Sequence, residues 1–348
     1  MGDLGQPVNT FWQLFFRREG ARTWSNQVEA TATATNGGLV LAPAGRSLLV
    51  GVRPSQLLTF TPLISTADAG RSWSTGLISE GLASRPTALA MTAGGEVFAL
   101  VNGRGGPELL TNTGGLSSWH ALVTSKALAA SPLSSPCDPG PLTAVGYVRV
   151  STSRSAGGGP PDYPVIGTSC RRPGVVGIFQ QVMSAWQIAG PTLPPGSGQA
   201  QVLGLFPSEE TLAALIGLSG GLTASGGTSL LAAWAPFRKH WVSSASLLLA
   251  KGDRLLSYGA TPAGGLFVLV ARPGGGDELA VAAATRLAWQ RLPPPPPGTT
   301  TVAFGPGSTV DALAAGRSVL TVWHLASNVR TWAKSQVVQV AIQYGSSS

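Results

Sequence analysis

Tryptophan returns along this chain at a spacing that few folds can use. Seven of its indoles, Trp24, Trp73, Trp119, Trp186, Trp241, Trp289 and Trp332, divide the 348 residues into steps mostly between 43 and 55 residues long. The one long step, 67 residues from Trp119 to Trp186, contains a Gly/Pro-rich insertion from Ser155 to Pro164. A repeat of this length is that of one four-stranded radial sheet.

Between the tryptophans the same order of short apolar runs recurs, each bounded by Gly, Pro or Asn, as expected of strands buried between neighbouring sheets. The segment 77–124 is the plainest case, with strands predicted at Thr87–Met91, Glu96–Val101, Glu108–Thr111 and Trp119–Val123. A second quartet is predicted at Gln201–Leu205, Leu212–Leu218, Ser229–Trp234 and His240–Ser243. Leu212–Leu218 and Glu278–Trp289 also read as short Ala-rich helices, but flanking Gly and the repeat register favour strands. Trp12-Gln13-Leu14 leading to Arg22-Thr23-Trp24 parallels Trp323-His324-Leu325 leading to Arg330-Thr331-Trp332. From this parallel, 11–25 supplies two outer strands and Val337–Tyr344 returns beside them as an inner strand. The expected fold is all-β, a single-domain seven-bladed β-propeller with four-stranded blades. Six blades lie at about 26–76, 77–124, 125–190, 191–244, 245–292 and 293–334, and the seventh is shared by 1–25 and 335–348. Sharing a blade between the termini removes the open sheet edges that invite aggregation.

Composition agrees with this architecture. Only 11% of residues are charged, 43% are hydrophobic, and Gly and Pro number 46 and 27, a turn-rich and helix-poor usage that excludes disorder. The formal charge of +8 comes from scattered, mostly single basic residues rather than a cluster interleaved with aromatics, so nucleic acid is not the expected partner. No apolar run reaches the length of a transmembrane helix. Met1–Phe16 lacks the parts of a signal peptide, which leaves either an intracellular protein or one whose leader lies outside this sequence.

The stretch Thr66-Ala67-Asp68-Ala69-Gly70-Arg71-Ser72-Trp73 is a tight polar turn running into a repeat tryptophan. In it, Thr66-x-Asp68-x-Gly70-x-Ser72-Trp73 resembles the Asp-box, or BNR repeat, of sialidase-like propellers. Asp68 can accept hydrogen bonds from its own turn, Gly70 can take positive φ, and Trp73 can bury its ring. Thr111–Trp119 resembles a decayed copy, with Thr113 in the Asp position. The resemblance implies a structural, not catalytic, role for Thr66, Asp68, Gly70, Ser72 and Trp73 on the outer rim.

Cys137 precedes a strand predicted at Leu142–Ser151, and Cys170 ends the antiparallel strand Tyr163–Cys170, so the thiols can meet at the hairpin base. A disulfide there implies an oxidising compartment, and two buried free thiols are the other reading. His120, His240 and His324 lie in different blades without metal-ligand spacing, so no metal and no cofactor are expected. A sialidase would resemble its family through an Arg-Ile-Pro motif, whereas Arg17-Arg18-Glu19 lacks the Ile-Pro, and Asp253, Asp277 and Glu278 fall in Gly-rich turns.

The turn between the second and third predicted strands carries arginine in most blades: Arg53, Arg104, Arg171 with Arg172, Arg272 and Arg317. These turns share one face, and the guanidinium groups suit a carboxylate, sulfate or phosphate. Solubility is the other reading of exposed turn arginines. Photosystem-assembly propellers of the same superfamily are similar in having an arginine patch. The sequence therefore predicts a monomeric, extracytoplasmic, non-catalytic binding or assembly propeller that holds a protein, an anionic glycan or a carboxylate ligand. The alternative is a diverged glycoside hydrolase acting on extracellular glycans.

Overall fold

The computed structural model describes residues 14–18, 21–26, 39–52, 61–74, 81–82, 86–112, 118–149, 162–208, 211–220, 228–236, 240–316, 319–327 and 330–339. Strands β1 (Phe15–Phe16) and β2 (Ser25–Asn26) pair with each other. Antiparallel meanders then follow in chain order. The first is β3 (Leu39–Ala44), β4 (Ser47–Val52), β5 (Thr61–Thr66) and β6 (Gly81–Leu82), and the second is β7 (Pro86–Met91), β8 (Val97–Gly103), β9 (Gly106–Asn112) and β10 (Trp119–Thr124). The third comprises β11 (Pro139–Arg149), β12 (Asp162–Cys170), β13 (Gly177–Val182) and β14 (Ala185–Ile188). The fourth comprises β15 (Gln199–Pro207), β16 (Thr211–Ser219), β17 (Thr228–Pro236) and two short outer pieces, β18 (Val242–Ser243) and β19 (Leu247–Leu248). Next come β20 (Arg254–Ala260), β21 (Leu266–Ala271), β22 (Glu278–Ala282) and β23 (Trp289–Arg291), then β24 (Thr299–Phe304), β25 (Val310–Ala315), β26 (Val319–Leu325) and β27 (Ala333–Gln339). Four meanders are separate four-stranded sheets, while the third and fourth are merged into one nine-stranded sheet through a bridge between Ser169 and Gln201.

The first strands of successive meanders pack against one another. They also bond across the joints: the Thr143 hydroxyl donates to the Val202 carbonyl at 2.5 Å and the Tyr258 hydroxyl to the Leu203 carbonyl at 2.8 Å. First strands converge and fourth strands lie outermost, which is a radial arrangement of blades.

Second strands are sandwiched between neighbours and are apolar on both sides: Leu266 to Val270 are all buried, as are Val97 to Val101. The hydrophobic core is accordingly a series of layers between consecutive meanders. Leu49, Leu63 and Ala42 meet Val97 and Val101; Phe98 and Leu100 meet Ile166 and Phe179; Val165 and Ile178 meet Val202 and Ile216. Trp234 and Leu230 meet Val268 and Leu266, and Phe267 and Leu279 meet Val302 and Ala312. A smaller layer joins Leu14, ahead of β1, to Val50 and Ile64 of the first meander.

The repeat tryptophans occupy equivalent places. Trp119 and Trp289 begin the fourth strand, Trp186 is its second residue, and Trp241 and Trp332 immediately precede it. Trp73 precedes Ser74, whose amide bonds to the Ser65 carbonyl at 2.8 Å and so opens the outer edge of the first meander. Trp24 precedes β2 in the same way. The indole N–H reaches backward to the preceding blade: Trp241 donates to the Ala189 carbonyl, just past β14, and Trp332 to the Pro293 carbonyl, just past β23.

One expectation changes, the preference for strands at the two helix-like segments holds, and one element is new. Val337–Tyr344 is not an inner strand of a terminal blade over its described part, because Val337, Val338 and Gln339 continue β27 as the outermost strand of the last meander, paired with Thr321, Leu320 and Val319. The alternating side chains of 333–339 suit an outer strand with one face exposed, and residues 340–348 lie outside the described residues. Both helix-like segments are extended, Thr211–Ser219 as β16 and Glu278–Ala282 as β22, because packing between blades on both sides overrides Ala propensity. A helix that the repeat does not predict, α1 (Ser125–Ala130), joins the second and third meanders. The Thr124 hydroxyl caps it by accepting from the Ala127 amide, and Leu128 anchors it in the layer below.

Candidate functional site

The 66–73 turn follows β5, between the third and fourth strands of the first meander. Asp68 Oδ1 accepts from the Arg71 amide at 2.9 Å and the Ser72 amide at 3.0 Å, while Oδ2 accepts from the Ser72 hydroxyl at 2.6 Å. The Thr66 hydroxyl donates to Asp68 Oδ1 at 2.8 Å and accepts from the Gly70 amide at 3.0 Å. The Ser72 hydroxyl and amide, then the Thr66 hydroxyl, hold the Asp68 carboxyl far below its ordinary value. All these donors come from the turn itself, so the carboxylate holds the loop together.

A depressed folded-state pKa contributes stability above the unfolded value of 3.8, and that contribution is lost as pH falls below it. Asp68→Asn is therefore expected to be less stable than the parent near neutrality, with the difference narrowing on acidification. Melting temperatures of the two proteins between about pH 6 and about pH 2 measure this; a constant difference would contradict it.

Gly70 has φ +76°, and a Cβ there would sit 2.6 Å from the Phe16 ring. The N-terminal pair thus lies directly on this turn: Phe16 meets Trp73 edge-on at 6.1 Å, and the Arg18 guanidinium donates to the Gly70 carbonyl at 3.0 Å.

The arginine-bearing turns stand at the opposite end of the strands. Arg104 is in the tight turn closed by the Gly103–Gly106 pair and is exposed. Arg171 and Arg172 directly follow Cys170, which is disulfide-bonded to Cys137. Their amides donate to the Asp138 and Cys137 carbonyls, and the Arg171 side chain, 70% exposed, pairs with Asp138 at 3.3 Å. Arg272 lies in the turn after β21 and shares the Glu278 carboxylate with Arg291, two guanidinium groups to one carboxylate, so it is held by a partner within its own meander. Arg53 and Arg317 lie outside the described residues. Arg104, Arg171, Arg172 and Arg272 therefore share a face by topology, but Arg272 is committed to an internal partner that sequence spacing does not reveal.

The six converging first strands contain no Asp or Glu, and their only basic residues are Arg149 and Arg254. One carboxylate pair lies elsewhere. Glu96, ahead of β8, is pushed up by burial and further by the negative charge of Asp162 at the start of β12, with the hydrogen bond from the Thr111 hydroxyl opposing the rise. Asp162 is itself paired with Arg149 at 3.2 Å.

A second cluster escaped the sequence reading. Asp311 of β25 is 2% exposed and takes the Arg17 guanidinium at 3.0 Å and the Trp24 indole N–H at 2.9 Å on Oδ2, with His324 Nδ1 at 2.8 Å from Oδ1. Its members are nearly 300 residues apart in the chain, so no local motif announces them.

No protein-family model matches the chain, and no curated protein matches it. Solved structures do. A protein from Lactobacillus plantarum is 11% identical with a TM-score of 0.50, over 98% of this chain and 97% of that one. YCF48 bound to a D1 peptide is 16% identical with a TM-score of 0.48, over 93% and 85%, and a lectin from Aleuria aurantia is 15% identical with a TM-score of 0.43, over 91% and 99%. The all-β propeller fold rests on the radial meanders of the chain itself. At these identities the likeness concerns the fold.

Proposed function

We propose that the chain closes as a seven-bladed β-propeller of the BNR type and acts as a non-catalytic binding or assembly module. Its arginine-bearing face, centred on Arg104, Arg171 and Arg172, holds an anionic or protein partner. The observation that carries this reading is that Arg104, Arg171 and Arg172 are exposed on turns at the same end of neighbouring meanders, where guanidinium groups can meet an anionic partner. The turn chemistry of Thr66, Asp68, Gly70 and Ser72 supports the BNR assignment. Seven blades are supported by Trp24, which donates to the last meander as Trp241 and Trp332 donate to the blades before theirs. The Cys137–Cys170 disulfide supports an extracytoplasmic location, where such bonds persist.

The double variant Arg104→Glu, Arg172→Glu is expected to bind sulfated or sialylated glycans and acidic peptides at least about tenfold more weakly than the parent, with an unchanged melting temperature. Equal binding by both proteins across that panel would remove the reading. The hydrolase alternative is favoured by Glu96 and Asp162, a carboxylate pair in which burial holds one member protonated more readily. Turnover of a glycan on the same panel, abolished by Glu96→Gln, would establish it in place of binding.

A further inference from the structure

Every joint between consecutive meanders is an apolar layer, and so is the joint between the N-terminal segment and the first meander, where Leu14 packs on Val50 and Ile64. The joint between that same segment and the last meander is built differently. Its principal atoms are polar: the Asp311 carboxylate takes Arg17 and Trp24, and the Gln336 side-chain amide both accepts from the Trp24 amide at 2.7 Å and donates to the Trp24 carbonyl at 2.9 Å. Arg17 also lies over the Trp24 ring, 5.6 Å from its centroid, so one guanidinium ties the carboxylate and the indole together. His324 holds the other carboxylate oxygen, which orients Asp311 toward the hairpin.

We propose that Asp311 is the latch of a detachable N-terminal clasp: residues 14–18 and 21–26 stay bonded to the first blade by apolar packing and close onto the last blade chiefly through this buried carboxylate, with the Gln336 amide bonded beside it. A buried carboxylate shared by several donors is strong while complete, and removing one member leaves an unpaired charge or donor that water must reach. Apolar layers have no such single point of failure, because their contacts are many and individually small. The seam at Asp311 is therefore the first part of the ring to open, and it opens without dismantling the blades. The clasp rests on the closed-ring reading but not on the arginine face.

Limited trypsin digestion of the full chain tests it, because Arg17, Arg18 and Arg22 report the clasp and Arg104 and the exposed Arg171 report the blades. In the parent, cleavage at 17–22 should be slow. In Asp311→Ala it should rise about tenfold or more while cleavage at 104 and 171 stays unchanged, since proteolysis of an open form tracks its population. Slow cleavage at 17–22 in both proteins would overturn the latch while leaving the ring closed; fast cleavage in the parent would overturn the closed ring itself. If Asp311→Ala does not fold, Trp24→Phe and Gln336→Leu, which remove one or two of the hydrogen bonds and keep the carboxylate, decide the matter in the same assay. A selective rise at 17–22 supports the latch, and no rise in either variant refutes it.

Discussion

Replacing Trp234 with alanine is expected to destabilise the protein by about 3–5 kcal/mol, the range for deleting a large aromatic side chain from a packed core. Trp234 lies on β17, is 1% exposed, and fills the layer between the fourth and fifth meanders against Leu266, Val268 and Ala280. Its indole N–H donates to the Gly264 carbonyl at 2.9 Å, in the turn between β20 and β21. One side chain therefore both packs and pins the next blade's inner turn. Trp234→Phe keeps most of the ring and loses the hydrogen bond, for which about 1–2 kcal/mol is expected. Urea midpoints measure both, with unchanged slopes if the loss is one of stability alone. Equal losses in the two variants would mean that the hydrogen bond, not the packing, holds this joint.

Removing the Cys137–Cys170 disulfide is expected to lower stability by about 3–4 kcal/mol, because the bond closes a loop across a separation of 33 residues. Both cysteines are buried in the layer shared with Phe98 and Phe179, so Cys137→Ala with Cys170→Ala tests the cross-link with little added polarity. The bond sits at the base of the β11–β12 hairpin, where Pro139 pairs with Cys170. It therefore holds the turn that follows, in which Arg171 and Arg172 donate their amides to Asp138 and Cys137. A reductant should lower the melting temperature of the parent and leave that of the double variant unchanged. Amide exchange at 171 and 172 should accelerate in both. Unchanged protection there would show that the turn is held by its own contacts rather than by the cross-link.

How far the fold could be read from residues alone is clearest in the second meander. There the strands fall within two residues of the ranges that apolar runs and turn residues predict, because each run is sandwiched and bounded by Gly or Asn. The last meander was less legible. Lys334 to Gln339 is polar except for Val337 and Val338, too short an apolar signal to separate an inner from an outer strand, and only pairing with β26 distinguishes them. The short helix at Ser125–Ala130 was missed because its signal is one capping threonine and one buried leucine.

The candidate site divides along the same line. Arg104, Arg171, Arg172 and Arg272 were found because turn position is a local property. That Arg272 is tied to a neighbouring carboxylate while Arg104 remains exposed depends on where Glu278 and Arg291 point.

By itself the sequence determined the repeat, its four-stranded unit, the polar turn around Asp68 and the pairing of the two cysteines as one of two readings. Each depends on residues close in the chain or on a period that bonding and burial impose locally. Tertiary structure alone decided which strand 333–339 forms, which arginines are already paired, and that Arg17, Trp24, Asp311, His324 and Gln336 meet. Those outcomes require the two ends of the chain to come together around the blades, and no stretch of sequence encodes a distance between parts of the chain that only the assembled fold brings side by side.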